Sequence, residues 1–370
     1  DDRPVERALA APRVDDLAGF QIDDGNDLHG SDALRLLVCE FVTGGGLAGC
    51  ELPDGLRREG DMMLRALVKD LTDLPQLSVS AARDWRLPPL DGAVEHRRIA
   101  AGDDPWTAWR RCIAEADAVL PVAPETGGVL ERLTALVRQR ERVLLGSRPD
   151  AVRRATSKLL TCRSLTEFGI AAVPTWPLRS ALEDAALNEH GGLVLKSDDG
   201  AGSEDTFRLR SGASLERWAA GRDDVDRFVV QPHLAGPAIS LSLLCADGRA
   251  AVLSCNSQDM RLDGERFRYH GGLVGGRGDL RRACEPIAAG IAAAFPGLWG
   301  LVGADLVETA RGLVVLEVNP RVTTSYVGLR HALGRNPAEL LVGLATAGWE
   351  AVQLSPVAQE VEVSVDAGTR

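Results

Sequence analysis

The run Leu34 to Val42 (LRLLVCEFV) restricts the fold more than any other stretch, because it is apolar at nearly every position rather than at alternate ones. A strand of that kind suits a parallel sheet covered on both faces by helices. It ends in Thr43-Gly44-Gly45-Gly46 and is followed by helical periodicity from Glu59 to Leu71. Short apolar runs at Leu77 to Val79, Ala118 to Val122 and Val143 to Leu145 then alternate with helical segments at Pro105 to Ala116 and Val129 to Arg140. The alternation predicts a doubly wound, Rossmann-like α/β domain over residues 34–148.

The pattern changes at Pro149. A helix is expected from Lys158 to Phe168, then strands near Val173 and over Gly192 to Lys196, and a strand and loop from Arg227 to His233. Ile239 to Cys245 and Ala250 to Cys255 read as a hairpin turned at Asp247-Gly248. A helix from Cys284 to Phe295 precedes strands Val302 to Thr309 and Leu313 to Val318. This second part is α+β with mainly antiparallel strands. Residues 1–33 read as an extension or partly ordered arm, and 350–370 as an unassigned tail.

Charge and cysteine usage narrow the class. A net charge of -11 argues against a chain that grips nucleic acid or an anionic membrane, since either needs a basic face. The 7 cysteines are scattered singly, with no CxxC pair, and read as reduced thiols. No apolar run nears the ~20 residues of a membrane span, and no basic and apolar leader opens the chain. The expectation is a cytoplasmic protein acting on small molecules, of two to three packed units.

The chemical signal is strongest in the stretch from Gly303 to Arg321. With Ala310-Arg311-Gly312 as a three-residue hairpin loop, Thr309 faces Leu313, Val307 faces Val315 and Asp305 faces Glu317. A period of two puts Asp305, Glu317 and Asn319 on one face. Two opposed carboxylates on otherwise apolar strands repel and are costly to bury. A hard divalent cation removes both penalties, with the Asn319 amide oxygen as a third ligand. Oxygen donors without His or Cys favour Mg²⁺ over zinc, and Mn²⁺ fits the same donors.

Lys196 ends the expected strand Gly192 to Lys196 and leads into the small-residue loop Gly200-Ala201-Gly202-Ser203. Such a loop can bring backbone N–H groups onto phosphates, because glycine lacks the Cβ that would block approach. It is neither a Walker A loop nor a GxGxxG turn. Lys158 lies on the preceding helix, just before Gly169-Ile170 and Val173-Pro174.

Taken in order, Ser157-Lys158, Val194-Leu195-Lys196 with Gly200 to Ser203, Val230-Gln231-Pro232-His233-Leu234, Asp305, and Glu317-Val318-Asn319-Pro320 resemble the ATP-grasp superfamily over residues 145 to 345. The resemblance implies a pre-ATP-grasp domain at 34–148, a small subdomain at 149–230 and a C-terminal subdomain with the metal site at 231–349. It implies that Lys158 and Lys196 contact ATP phosphates and that Gly200, Ala201, Gly202 and Ser203 close over them. Gln231, Pro232, His233 and Leu234 would face the adenine, while Asp305, Glu317 and Asn319 hold one or two Mg²⁺. Two positions depart from the pattern: the usual ribose acid falls near Ala238, and an arginine of some amino-acid ligases is Gly303 here. Charge on the transferred phosphoryl then calls for Arg321 or Arg277 beside Lys196.

Within the superfamily, Cys39 to Gly46, Leu253 to Gln258 and Tyr269-His270-Gly271-Gly272 resemble the tyramine-glutamate ligases of methanofuran biosynthesis and their relatives. That resemblance implies Gly44, Gly45, Asn256, Tyr269 and His270 as substrate-binding residues, and an enzyme that joins glutamate to tyramine or tyrosine through an acyl phosphate, as a homodimer. Two other readings stay open: a ligase for other amino acids or peptides, and a catalytically silent nucleotide-binding regulator, for which Ala238 and Gly303 speak.

Overall fold

The computed structural model describes residues 33–184, 192–202 and 205–365. Residues 1–32 of the expected arm, Ser203 of the glycine-rich loop and residues 366–370 lie outside them. In chain order the first domain contains β1 (Leu34–Glu40), α1 (Asp54–Thr72), β2 (Leu77–Asp84), β3 (Val94–Ile99), α2 (Pro105–Glu115), β4 (Ala118–Val122), α3 (Val129–Gln139) and β5 (Val143–Leu144). The five strands form a parallel sheet in the order β3-β2-β1-β4-β5.

The near-continuous apolarity of β1 is explained by its central place. Leu36 and Val38 enter a core with Leu64, Leu67 and Leu71 of α1, while Leu37 and Cys39 enter a second core with Trp109, Ile113 and Leu133 of α2 and α3. Helix α2 begins where Asp104 accepts a hydrogen bond from Thr107 N at 2.8 Å, with Pro105 as its first residue. Strand β3 has no counterpart in the sequence reading. Its Glu95, His96, Arg97 and Arg98 hide the period of two because it is an edge strand, where charge is tolerated.

Helices α4 (Pro149–Thr156) and α5 (Lys158–Glu167) follow, divided at Ser157, whose side chain caps α5 through Leu160 N at 3.2 Å. Next come β6 (Trp176–Pro177), α6 (Leu178–Glu183), β7 (Leu193–Ser197), β8 (Phe207–Leu209), α7 (Gly212–Ala219) and β9 (Phe228–Pro232). The last elements are β10 (Ala238–Ala246), β11 (Arg249–Asp263), β12 (Arg266–Val274), α8 (Arg281–Ala294), β13 (Gly300–Thr309), β14 (Gly312–Asn319), α9 (Tyr326–Leu333), α10 (Pro337–Ala347) and β15 (Val361–Ser364). Their strands form one sheet in the order β14-β13-β10-β11-β12-β8-β7-β9-β6, with β15 on β12, and every ladder is antiparallel.

This sheet has two lobes with separate cores. Leu193, Leu195, Leu215 and Phe228 fill the small lobe, and α8 covers β10, β11 and β13 in the large one. Ala155 and Leu165 belong to the large-lobe core, so α4 and α5 pack with that lobe although they precede the small one in sequence. The strand expected near Val173 is a single parallel bridge, Ala172 to Val315, that ties the entry to the small lobe onto β14. The tail yields β15, whose Val363 joins the core cluster that the first domain shares with α9 and α10.

The β13–β14 register differs from the expected one. Thr309 pairs with Gly312, so the turn has two residues, and Val307 faces Val314 rather than Val315. A bulge at Leu316 absorbs the one-residue slip and restores the pair Asp305–Glu317. The expected β10–β11 turn is present, with Asp247 and Gly248 both left-handed at φ 52 and 71.

Candidate active site

A cleft of about 460 Å³ opens between the lobes, lined by β7 and β9 on one side and by β10, β13 and β14 on the other. Strand β7 delivers Lys196 because its alternation turns Leu193 and Leu195 into the small-lobe core. Lys158 arrives from the first turn of α5, where Asp198 accepts from the amides of Lys158 (3.1 Å) and Leu159 (2.9 Å). The Lys158 ammonium donates to the carbonyls of Gly200 at 2.8 Å and Asp198 at 3.3 Å. Both ammonium groups converge on Glu317 Oε2, Lys196 at 3.3 Å and Lys158 at 3.6 Å.

Asp305 completes the polar centre. Its carboxylate accepts from Gln258 Nε2 at 2.9 Å and Asn319 Nδ2 at 3.0 Å. Burial, and then the charge of Glu317, raise the Asp305 carboxyl to about 7. Burial would raise Glu317 too, but the Lys196 and Lys158 charges overturn it and hold Glu317 down to about 2. Burial lowers the Lys196 ammonium, against the pull of Glu317. Two acids forced together, flanked by an amide and by cations, fit a hard divalent ion with oxygen ligands from Asp305, Glu317 and Asn319. Among the described residues no third carboxylate or histidine joins them.

Gly200 and Gly202 line the cleft, as do Gln231, Pro232, His233, Leu234, Tyr269 and Arg321. The amide of Gln231 is committed to Thr175 Oγ1 at 3.0 Å, so this segment meets the cleft with backbone and with the neighbouring side chains. Ala201 instead donates its N–H to Thr126 Oγ1 at 3.2 Å, and Asp199 accepts from Gly127 N at 2.8 Å. The glycine-rich loop is thus docked on the turn after β4. The same turn supplies Glu125, which holds Arg321 through two bonds of 2.9 Å, so Arg321 faces the cleft as a neutralised cation.

Five further expected residues stand apart from the cleft. Arg277 is paired with Glu308 at 2.9 Å and Asp279 at 3.1 Å. Asn256 is buried and bonded to Ser240, Ser242 and Gly275 N, a bracket for the strands behind the site. Gly44 and Gly45 form a buried turn in which the Gly44 carbonyl accepts from Trp109 Nε1 at 2.9 Å and Gly45 has φ 89. His270 neighbours Tyr269 on β12 but does not line the cavity. Conversely, Glu59 of α1, Gln258 and Thr323 to Ser325 do line it and were not anticipated. Glu59 is one of several acids on an amphipathic helix, so only tertiary packing distinguishes it.

Comparison with known proteins agrees with this fold. An ATP-grasp domain model matches residues 155–325, and a pre ATP-grasp 3 domain model matches 77–152. In solved structures, an ATP-grasp superfamily protein from Archaeoglobus fulgidus superposes with a TM-score of 0.63 at 21% identity, over 84% of this chain and 88% of that one. The chain is an ATP-grasp domain protein. It is distantly related to tyramine–L-glutamate ligase: 27% identical over 228 residues to that of Methanocaldococcus jannaschii (61% of this chain) and 23% over 282 residues to that of Methanocaldococcus fervens (75% of this chain). The matched regions span 62% and 84% of the two relatives.

Proposed function

We propose that this protein is an ATP-dependent ligase that joins a carboxylate to an amine through an acyl phosphate, with glutamate as acyl donor and tyramine or tyrosine as acceptor. The observation that carries the ligase reading is the convergence of Lys158, Lys196, Glu317, Asp305 and Asn319 in one cleft between two lobes. The kinship to tyramine–L-glutamate ligases supports the choice of substrates.

Lys158 and Lys196 would hold the ATP phosphates, with the glycine-rich loop beside them at Gly200 and Gly202. The backbone of Gln231 to Leu234 would receive the adenine. Asp305, Glu317 and Asn319 would hold Mg²⁺, which supplies charge neutralisation on the phosphates. The donor carboxylate attacks the γ-phosphorus, ADP leaves, and the amine nitrogen attacks the acyl carbon while phosphate departs. Such chemistry asks for positioning and charge stabilisation rather than a protein nucleophile. Lys196 and Arg321 are the cations nearest that role, with Arg321 held in place by Glu125. Arg277, paired with two acids, does not line the cleft and stays outside this assignment.

The test is ADP release from Mg-ATP and L-glutamate with and without tyramine, with hydroxylamine as a trap for the acyl phosphate. A glutamyl hydroxamate, and a product heavier by glutamyl when tyramine is present, support the reading. Wild-type protein that yields neither removes it.

A further inference from the structure

The charges that line the cleft balance except at one point. Lys158 and Lys196 face Glu317, Arg321 faces Glu125, and Asp305 is bonded to Gln258 and Asn319. Glu59 also lines the cleft, but it comes from α1 of the first domain rather than from the strands and helix that carry the lysines and the metal acids. Its one hydrogen bond among the described residues comes from the Thr324 hydroxyl, and no lysine or arginine of the described residues forms an ion pair with it. Tyr269 lines the same cleft, and after burial the charge of Glu59 is the next cause that pushes its phenol up.

Arg321, already bonded to Glu125, lies near enough to feel the Glu59 charge but forms no ion pair with it, so a paired cation is what this carboxylate lacks and a ligand could supply. Phosphates would repel Glu59, and among the described residues it forms no metal-holding group with Asp305 and Glu317. We propose that Glu59, buttressed by Thr324 and flanked by Tyr269, is the subsite for a primary ammonium group, that of the amine acceptor. The proposal rests on the ligase reading for the role of that amine, but not for its binding. Because Glu59 belongs to α1 while the metal acids belong to β13 and β14, the two substrates would meet where the first domain closes against the large lobe.

The direct test is calorimetric titration of tyramine into wild type and Glu59→Gln, each saturated with magnesium and a non-hydrolysable ATP analogue. Glutamine keeps an acceptor for the Thr324 hydroxyl and removes only the charge. Loss of a charge-assisted hydrogen bond predicts affinity about 10- to 100-fold weaker in Glu59→Gln. Binding of 4-ethylphenol, which has the ring without the ammonium, should be the same in both proteins. Equal tyramine affinity in the two proteins overturns the subsite, as does failure of the wild type to bind tyramine. The hydroxamate assay separates this from the ligase reading. Charge-dependent tyramine binding without glutamyl hydroxamate removes the proposed reaction and leaves the subsite. Hydroxamate formation with tyramine binding indifferent to Glu59 removes the subsite and leaves the reaction. A weaker response to glutamate alone in Glu59→Gln, with tyramine affinity unchanged, assigns the carboxylate to the donor and overturns the proposal.

Discussion

Two neighbouring acids of the cleft answer in opposite ways to loss of their charge. Glu317 is the counter-charge of two lysines that are only 4% and 6% exposed. Glu317→Gln removes the counter-charge nearest to both, so the ligand-free protein should lose about 3 kcal/mol of stability in denaturant titration, and ADP formation should fall about 1,000-fold. Asp305 instead suffers the charge of Glu317. Asp305→Asn should leave ligand-free stability unchanged or slightly raised while ADP formation falls about 100-fold. Equal loss of stability in the two variants would contradict this division of labour. Lys196→Ala should weaken ATP binding and slow turnover together, and unchanged kinetics would remove it from the site.

At the scale of single elements, the turn Val42–Gly46 and the entry to β4 carry the clearest consequences. The carboxylate of Glu40 accepts from Val42 N at 3.1 Å, and from Thr43 N and Oγ1 at 2.6 Å each. Gly45 sits at φ 89, where an added Cβ would come within 2.5 Å of Ile99 Cβ. Gly45→Ala should therefore cost about 2 kcal/mol or more in chemical denaturation, from backbone strain and overpacking together. Asp117, at the start of β4, accepts three bonds from the amide and guanidinium of Arg35 on β1. Those bonds hold its carboxyl below the usual range. A folded pKa below the unfolded one stabilises the fold at neutral pH and loses that contribution as pH falls through the folded value. Since Arg35 is more than half exposed, Asp117→Asn should cost about 1 kcal/mol near neutrality. Its unfolding midpoint should merge with the wild type's once pH has fallen through the carboxylate range.

For the molecule as a whole, the site exists because three bodies meet. The turn after β4 holds Arg321 through Glu125, and holds the glycine-rich loop through Thr126 and Gly127. Helices α1 and α9 are joined where Asp70 accepts from the Tyr326 hydroxyl and from Arg330, both at 2.9 Å. A ligand that spans these bodies should stabilise all of them at once. Mg-ATP at about 100 times its Kd should add about 2.7 kcal/mol in thermal unfolding. Chelation of the magnesium should abolish most of that gain, and an equal gain without magnesium would argue against the metal role of Asp305, Glu317 and Asn319.

The sequence by itself determined what depends on local periodicity and on residue chemistry. The continuous apolarity of β1 marked a strand covered on both faces, and the spacing of Asp305 and Glu317 marked an opposed pair. That pair survived an error in the turn because a bulge at Leu316 compensates for a two-residue loop. Tertiary structure decided everything that depends on long-range contact. The polar edge strand β3 and the late strand β15 exist because neighbours supply their hydrogen bonds, which no local pattern records. Arg277 and Arg321 look equally suited to a phosphoryl group in sequence, yet one is held by Asp279 and Glu308 away from the cleft and the other faces it against Glu125. Glu59 entered the site only through the packing of α1 against the large lobe, since a carboxylate's role follows from the charges that folding places around it.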